Sequence, residues 1–335
     1  MPHDWVDSFT SHEIRELRRV SDLRGALSLA VNWGMIAAAM AAVALAPAVL
    51  LPVVIPLALF VIGARQLGMA VLMHEAAHRT LFRRRSWNDR CANWLAAYPV
   101  YVSLELYRPY HLQHHARTGT DEDPDLALAR GWPVRRASMR RKVVRDLVGI
   151  TGVKRLIAQT RFLIATARGV RRDRSEVLSF VGGGSAAEAR AALVGAALWQ
   201  VALVAICFAV GHPWLYLLWA GAWLTTYSLC MRIRSIAEHA MTGDPANPLA
   251  NTRTVIAGPW ERIFIAPNRV NYHLEHHLLM TVPHHNLPRL HELLAERGLL
   301  EGACVASSYR EVLARMVREP GSAPAAAPAN HLSED

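Results

Sequence analysis

Histidine sets the chemistry available to this chain. Eight of its sixteen histidines fall in three clusters. His74 and His78 lie in HEAAH, His111, His114 and His115 in HLQHH, and His273, His276 and His277 in HLEHH. On a helix, positions i, i+3 and i+4 project from one face, so each cluster offers two or three imidazoles to one point. A single such pair is most simply a satisfied surface or core histidine. Three clusters, two of them with the same H-x-x-H-H pattern, resist that explanation. Eight imidazoles exceed the roughly four ligands of a zinc ion and suit two transition-metal ions. Imidazole binds iron, zinc, copper and nickel, so ligand type alone does not choose the metal. HEAAH by itself poses a rival: H-E-x-x-H on a helix is the zinc-protease pattern, with Glu75 as general base. That rival leaves six clustered histidines idle.

A ligating histidine needs an acceptor for its other ring N–H. Glu75 and Glu275 lie inside the boxes. An acidic run, Asp121, Glu122, Asp123 and Asp125, follows the second box. Asp121 is its candidate partner, against the plain reading of a solvated loop. The four cysteines form no C-x-x-C pair and imply neither a disulfide framework nor a zinc ribbon.

The elements that carry the boxes follow from charge patterning. The 335-residue chain is 52% hydrophobic and 19% charged, and the two kinds of residue are segregated. Residues 25–64 contain no Asp, Glu, Lys or Arg, and neither do residues 191–231. A bilayer core of about 30 Å is crossed by about 20 apolar residues in a helix, so each run reads as two spans. The first turns near Pro47 and the second near Gly211-His212-Pro213. Spans are expected at about 26–46, 49–72, 191–210 and 213–231. Four soluble helices apolar on every side are the unfavoured alternative. Both hairpin tips are uncharged, whereas residues 132–174 carry 13 Lys and Arg. The positive-inside rule then places that segment, both termini and all three boxes on the cytoplasmic side.

The expected fold is therefore an all-α integral membrane protein, with four transmembrane helices in two hairpins beneath a cytoplasmic helical cap that carries the histidines. A cytoplasmic segment at 1–24 precedes a membrane domain at 25–310. A C-terminal end at 311–335 finishes in a Pro/Ala-rich tail expected to be disordered. Residues 92–107, apolar and rich in aromatics, are expected as a helix on or dipping into the membrane surface. Leu147, Ile150, Val153, Ile157 and Ile164 recur near helical spacing among basic residues, an interfacial amphipathic pattern. The net charge of +10 is almost wholly arginine. It fits a GC-rich, bacterial coding sequence and an inner-membrane location, and does not call for nucleic acid.

HEAAH, HLQHH and NYHLEHH at 271–277, trailed by NLPRLH at 286–291, resemble the histidine boxes of the integral-membrane fatty acid desaturase superfamily. Box order, the gap of about thirty residues between the first two boxes, and the intervening hairpin are similar over roughly residues 25–300. RIRSIAEH at 232–239 is similar to the bacterial rhizobitoxine-desaturase-like group. The resemblance implies two non-haem iron ions, dioxygen as co-substrate, and an external ferredoxin-like or cytochrome b5-like electron donor. It also implies a lipid or acyl-chain substrate, which loses two hydrogens from adjacent carbons to leave a double bond. The fused cytochrome b5 signature H-P-G-G is lacking, since His212-Pro213 is followed by Trp214. The arginine-rich segment would dock an acidic donor or lipid headgroup, or serve topology alone.

In the animal acyl-CoA branch of that family a histidine beyond the fourth span is also a ligand, with an Asn one turn earlier holding a water. His239 stands in that place here, with Ser235 one turn earlier, and Glu238 beside it joins the candidate acceptors. A ninth ligand would give one metal five imidazoles and the other four. Three alternatives stay open: a hydroxylase or ketolase using the same boxes, the zinc protease, and a non-catalytic metal-binding membrane protein.

Overall fold

The computed structural model describes residues 5–170 and 184–318. The Pro/Ala tail lies outside them.

Among the described residues helices predominate, and three of these are long and apolar enough to cross a membrane. Asp22–Leu45 starts at Ser21, whose side chain accepts the Arg24 N–H, and ends before Pro47. Leu51–Ala77 returns antiparallel, with Pro52 in its first turn, where a missing N–H costs nothing. Ala186–Ala209 is fixed by a capping box of Ser185 and Glu188 and ends at Gly211, whose φ of +79° favours glycine.

The fourth expected span is not one helix. It is split into Leu215–Leu224 and Thr226–His239 by Thr225, at φ −111°, ψ −88°. A helix break leaves backbone carbonyls to be satisfied by other groups, and here Arg155 donates to the Trp223 carbonyl at 2.9 Å and Ser228 Oγ to the Leu224 carbonyl at 3.2 Å. Thr225 Oγ1 donates to the Gly221 carbonyl at 2.6 Å, and Thr226 Oγ1 to the Leu59 carbonyl at 2.5 Å. Apolar periodicity does not reveal such a break. Its outcome is a helix that emerges re-aimed and ends on His239.

Leu51–Ala77 is the central element, buried without interruption from Ile62 to Ala77. Small residues let its neighbours approach closely. A Cβ on Gly63 would stand 2.7 Å from the Tyr227 backbone N, and one on Gly68 3.0 Å from Asn32 Cγ. The helix therefore packs against Asp22–Leu45 on one side and the broken segment on the other, and its C-terminal turn presents His74 and His78.

Residues 92–107, expected as one helix, are helical in two pieces. After Arg85–Ala92 the chain makes a π turn over Asn93–Ala97 and a 3-10 turn over Tyr98–Val100, then reverses at Tyr101 with φ +63°. Ala96 to Val100 are buried in the main core. Asn93 explains the change: its Oδ1 caps the Leu104 N–H at 3.0 Å and its Nδ2 reaches Glu105 at 2.6 Å, which aims the helix Leu104–Arg117 and the second box. The amphipathic pattern further on does form a helix, Ile150–Ala167, with Ile150, Val153, Ile157 and Ile164 exposed. The preceding helix Arg136–Leu147 is tied to Thr226–His239 by Asp146, which receives Arg232 through both oxygens at 2.5 and 2.8 Å.

Both ends of the domain extend past the expected boundaries. Trp5, Phe9 and Leu17 pack with Leu287, Leu290 and Leu294, so part of the N-terminal segment belongs to the cap. Helix Tyr309–Arg315 buries Tyr309 and Val312, and Val317–Arg318 pairs in parallel with Val134–Arg135. A second small parallel pair, Thr254–Val255 with Val305–Ala306, braces the loop before the third box.

Candidate metal centre

Three helix ends converge in the cap. Leu51–Ala77 brings His74, with His78 as its C-cap residue; Leu104–Arg117 brings His111, His114 and His115; the short helix His273–Leu278 brings His273, His276 and His277. Thr226–His239 adds His239 at its last position.

The side chains sort into two groups whose ligand atoms lie within 4.8 Å of one another. His74, His78, His111, His115 and His276 form the first; His114, His239, His273 and His277 form the second. Ring nitrogens meet nitrogen to nitrogen. In the first group, His78 and His111 Nε2 are 2.8 Å apart, His111 and His115 3.0 Å, and His115 and His276 3.1 Å. In the second, His239 and His273 Nε2 are 2.9 Å apart. Two lone pairs at that distance repel unless a proton or a cation lies between them, and one proton serves only one pair. The Nε2 atoms of His74 and His277 are buried with no hydrogen-bond partner. Orphaned buried acceptors converging in this way fit metal cations and fit little else.

Electrostatics favour the same use. Burial, reinforced by neighbouring histidines, holds His111, His115, His239, His273, His276 and His277 well below the usual imidazole range, and burial brings His78 down to about 4. These rings are neutral at physiological pH, the form that ligates metal. His114 differs. Burial pulls it down, but its hydrogen bond to Asp123 and the charges of Asp125 and Asp123 outweigh this and raise it.

The supporting carboxylates are not where the sequence placed them. Asp121 points to solvent and pairs with Arg130. Asp123, two residues on, takes the role instead: its Oδ1 lies 2.7 Å from His114 Nδ1, and it accepts the Gly119 and Asp125 backbone N–H groups, each at 2.8 Å. In an acidic run only the turn geometry decides which member faces inward. Glu75 and Glu275 touch no box imidazole at hydrogen-bond distance among the described contacts. Glu75 accepts the His284 backbone N–H at 3.0 Å, and Glu275 binds His291 Nδ1 at 2.6 Å and the Thr254 hydroxyl. Adjacent helical residues do not share a face, so a glutamate next to its histidine in sequence aims elsewhere. The two glutamates anchor the helix ends that bear the boxes. Glu238 likewise turns to Arg234, one turn back, at 2.7 Å, and its nearer contact with the centre is His273 Nε2 at 3.7 Å. Burial pushes its carboxyl up to about 7 against the pull of Arg234. Ser235 lines a small cavity beside His114, His239 and His273.

Four supports escaped the sequence reading. Thr118 donates to the His114 carbonyl at 2.8 Å and lies 3.2 Å from His277 Nδ1. Tyr107 stacks on His111 with rings 14° apart. Its position four residues before His111 was the available signal. His291 closes the NLPRLH stretch that carries part of the resemblance, whereas His284 had no signal beyond its nearness to the third box.

The pattern of the family described as "Fatty acid desaturase" matches residues 48–305, which contain every one of these histidines. The chain is also similar to the dihydrorhizobitoxine desaturase of Bradyrhizobium elkanii, at 28% identity over 282 residues, covering 81% of this chain and 75% of that protein. With histidine boxes, apolar membrane-length helices and a family match over most of its length, the chain belongs to the fatty acid desaturase family.

Proposed function

We propose that this protein is a membrane-bound, dioxygen-dependent desaturase holding two iron ions, one in each histidine group. The observation that carries the reading is the sorting of nine imidazoles into a group of five and a group of four. His74, His78, His111, His115 and His276 would hold one ion, and His114, His239, His273 and His277 the other. When bound and reduced, the iron pair supplies the means to activate dioxygen and take two hydrogens from adjacent carbons of a lipid-like chain.

The protein's own groups do the rest. Asp123 fixes the His114 ring with Nε2 free toward the second group. Tyr107 limits rotation of His111 by stacking. Glu75 and Glu275 lock the ends of the box helices through His284, His291 and Thr254. Burial of the centre keeps bulk water from the reacting carbons. Protein purified without chelators should contain about two irons per chain. Expressed in a host of known lipid and metabolite content, it should yield a product lighter by two hydrogens. A product that has gained one oxygen would instead identify a hydroxylase on the same centre, and one zinc with a cleaved peptide would identify the protease.

The centre and both chain ends face the cytoplasm of a bacterial inner membrane in this reading. Supporting it are the arginines between the hairpins and the uncharged hairpin tips. Reporter fusions after Arg24, at Gly211 and after Arg310 should read inside, outside and inside. An inside reading at Gly211 would overturn the orientation.

A further inference from the structure

We propose that a cavity beside the second histidine group is the substrate chamber, and that it takes an amphiphile ending in a carboxylate or phosphate. Lys142, Arg145 and Lys154 hold the anionic end, while the chain passes Leu128 and Ser235 toward the metals. This rests on the desaturase reading and adds the class of substrate.

The chamber has a volume of about 620 Å³, within the range of about 300–1,000 Å³ common for small-molecule sites. The short helix Leu126–Ala129, the helices Arg136–Leu147 and Ile150–Ala167, and Thr226–His239 line it. Leu128, Trp132, Met231 and Ile236 make part of its wall apolar.

Its charged lining is of one sign. Six Lys and Arg side chains contribute and no Asp or Glu does. Arg130 is neutralised by Asp121, and Arg232 by Asp146. Lys142 lies 5.7 Å from the centre of the Trp132 ring. Arg155 lies over the Trp223 and Tyr227 rings and donates to the Trp223 carbonyl, and its buried Nε finds no partner. Lys142, Arg145 and Lys154 have no acidic partner among the described residues. Lys142 is half-buried and Arg145 and Lys154 are exposed at the rim, so this one-signed group of unpaired cations attracts an anion to the mouth of the cleft.

The chamber also adjoins the second histidine group. A second cavity of about 20 Å³, room for about one water, is lined by Tyr107, His114, His239 and His273. Leu128 and Ser235 line both cavities. For a molecule anchored by its anion among the bases, the side of the chamber at Leu128 and Ser235 is the one nearest the histidines.

The test measures binding, apart from turnover, on the full metal-loaded chain in neutral detergent. The probes are octyl phosphate, octanoate and octanol, titrated by calorimetry. One or both anions should bind at one site per chain, and octanol about tenfold or more weaker. Preference for the phosphate indicates a phosphorylated lipid or carrier as the natural source, and preference for octanoate a free acid. Lys142→Gln/Arg145→Gln/Lys154→Gln should weaken the anions by on the order of a hundredfold and leave octanol unchanged. Arg84→Gln/Arg85→Gln/Arg90→Gln, which removes as much charge from an exposed surface elsewhere, should change neither. Leu128→Trp should keep anion binding and iron content but lose turnover. Unchanged anion affinity in the chamber variant, octanol binding as tightly as the anions, or full turnover in Leu128→Trp would overturn the proposal. Wild-type protein that binds the anions yet holds no iron and forms no product would instead overturn the desaturase reading and leave the chamber standing.

Discussion

His111→Ala and His277→Ala should each lower turnover by more than about a hundredfold, beyond the 10- to 100-fold that partners orienting a ligand typically cost. The two variants sample the two groups. His111 Nε2 sits between His78 at 2.8 Å and His115 at 3.0 Å, whereas His277 lies in the second group with His114, His239 and His273. Removing a ligand from a set of four leaves three and opens a position to water, so His277→Ala should fall from about two irons per chain toward about one. His111 belongs to the set of five, so its loss should weaken retention less steeply while still ending turnover. Neither change touches the apolar helices, and both variants should remain in the membrane fraction. Asp123→Asn provides a graded comparison. It keeps the volume but loses the charge opposite His114 Nδ1, and should cost about 10- to 100-fold in iron affinity or activity. Iron by elemental mass spectrometry, beside product formation in the same membranes, checks all three. Full activity in either alanine variant would refute a centre built from both groups.

The legibility of this protein differed from layer to layer. The two long uncharged runs announced membrane segments because, on crossing lipid, a helix needs about 20 apolar residues whatever its neighbours do. The boxes announced a metal centre because helical spacing alone places His111, His114 and His115 on one face. Local sequence carried less where two distant groups had to meet. The last expected span is divided at Thr225, where Arg155 from another helix takes the Trp223 carbonyl and Thr226 reaches Leu59 across the bundle. The apolar stretch at 92–107 is interrupted at Tyr101, and Asn93 caps the helix that restarts at Leu104, a contact that hydropathy does not register. Asp123 rather than Asp121 reaches His114 because the turn after the second box points one inward and the other at Arg130. The glutamates inside HEAAH and HLEHH lie beside the ligands in sequence but round the helix from them in space, so their partners are His284 and His291. Side chains that act along one helix were readable, and those that act across the fold were not.

The sharpest contrast lies between two histidines outside every box. His239→Ala should lose iron and activity as severely as a box variant, and His212→Ala should lose neither. His239 ends the helix Thr226–His239, and the break at Thr225 gives that helix its direction into the cap. Its Nε2 lies 2.9 Å from His273 Nε2, and its ring centre is 4.8 Å from that of His114 and 5.5 Å from that of His277. Without it the second group would offer three imidazoles beside the five of the first. His212 sits at the turn after Ala186–Ala209, with Trp214 against its ring and its backbone N–H on the Cys207 carbonyl. It is thus a control for the loss of a histidine as such. Loss of iron from His239→Ala alone would not separate ligation from support, because a buried ring also packs. Added imidazole makes that separation. It should re-enter the space left by the missing side chain and restore iron and turnover to His239→Ala, whereas a helix loosened by lost packing has no reason to recover. Near-wild-type iron in both variants would show that the eight box histidines build the centre alone, and failure of imidazole to restore an iron-poor His239→Ala would make His239 a packing residue.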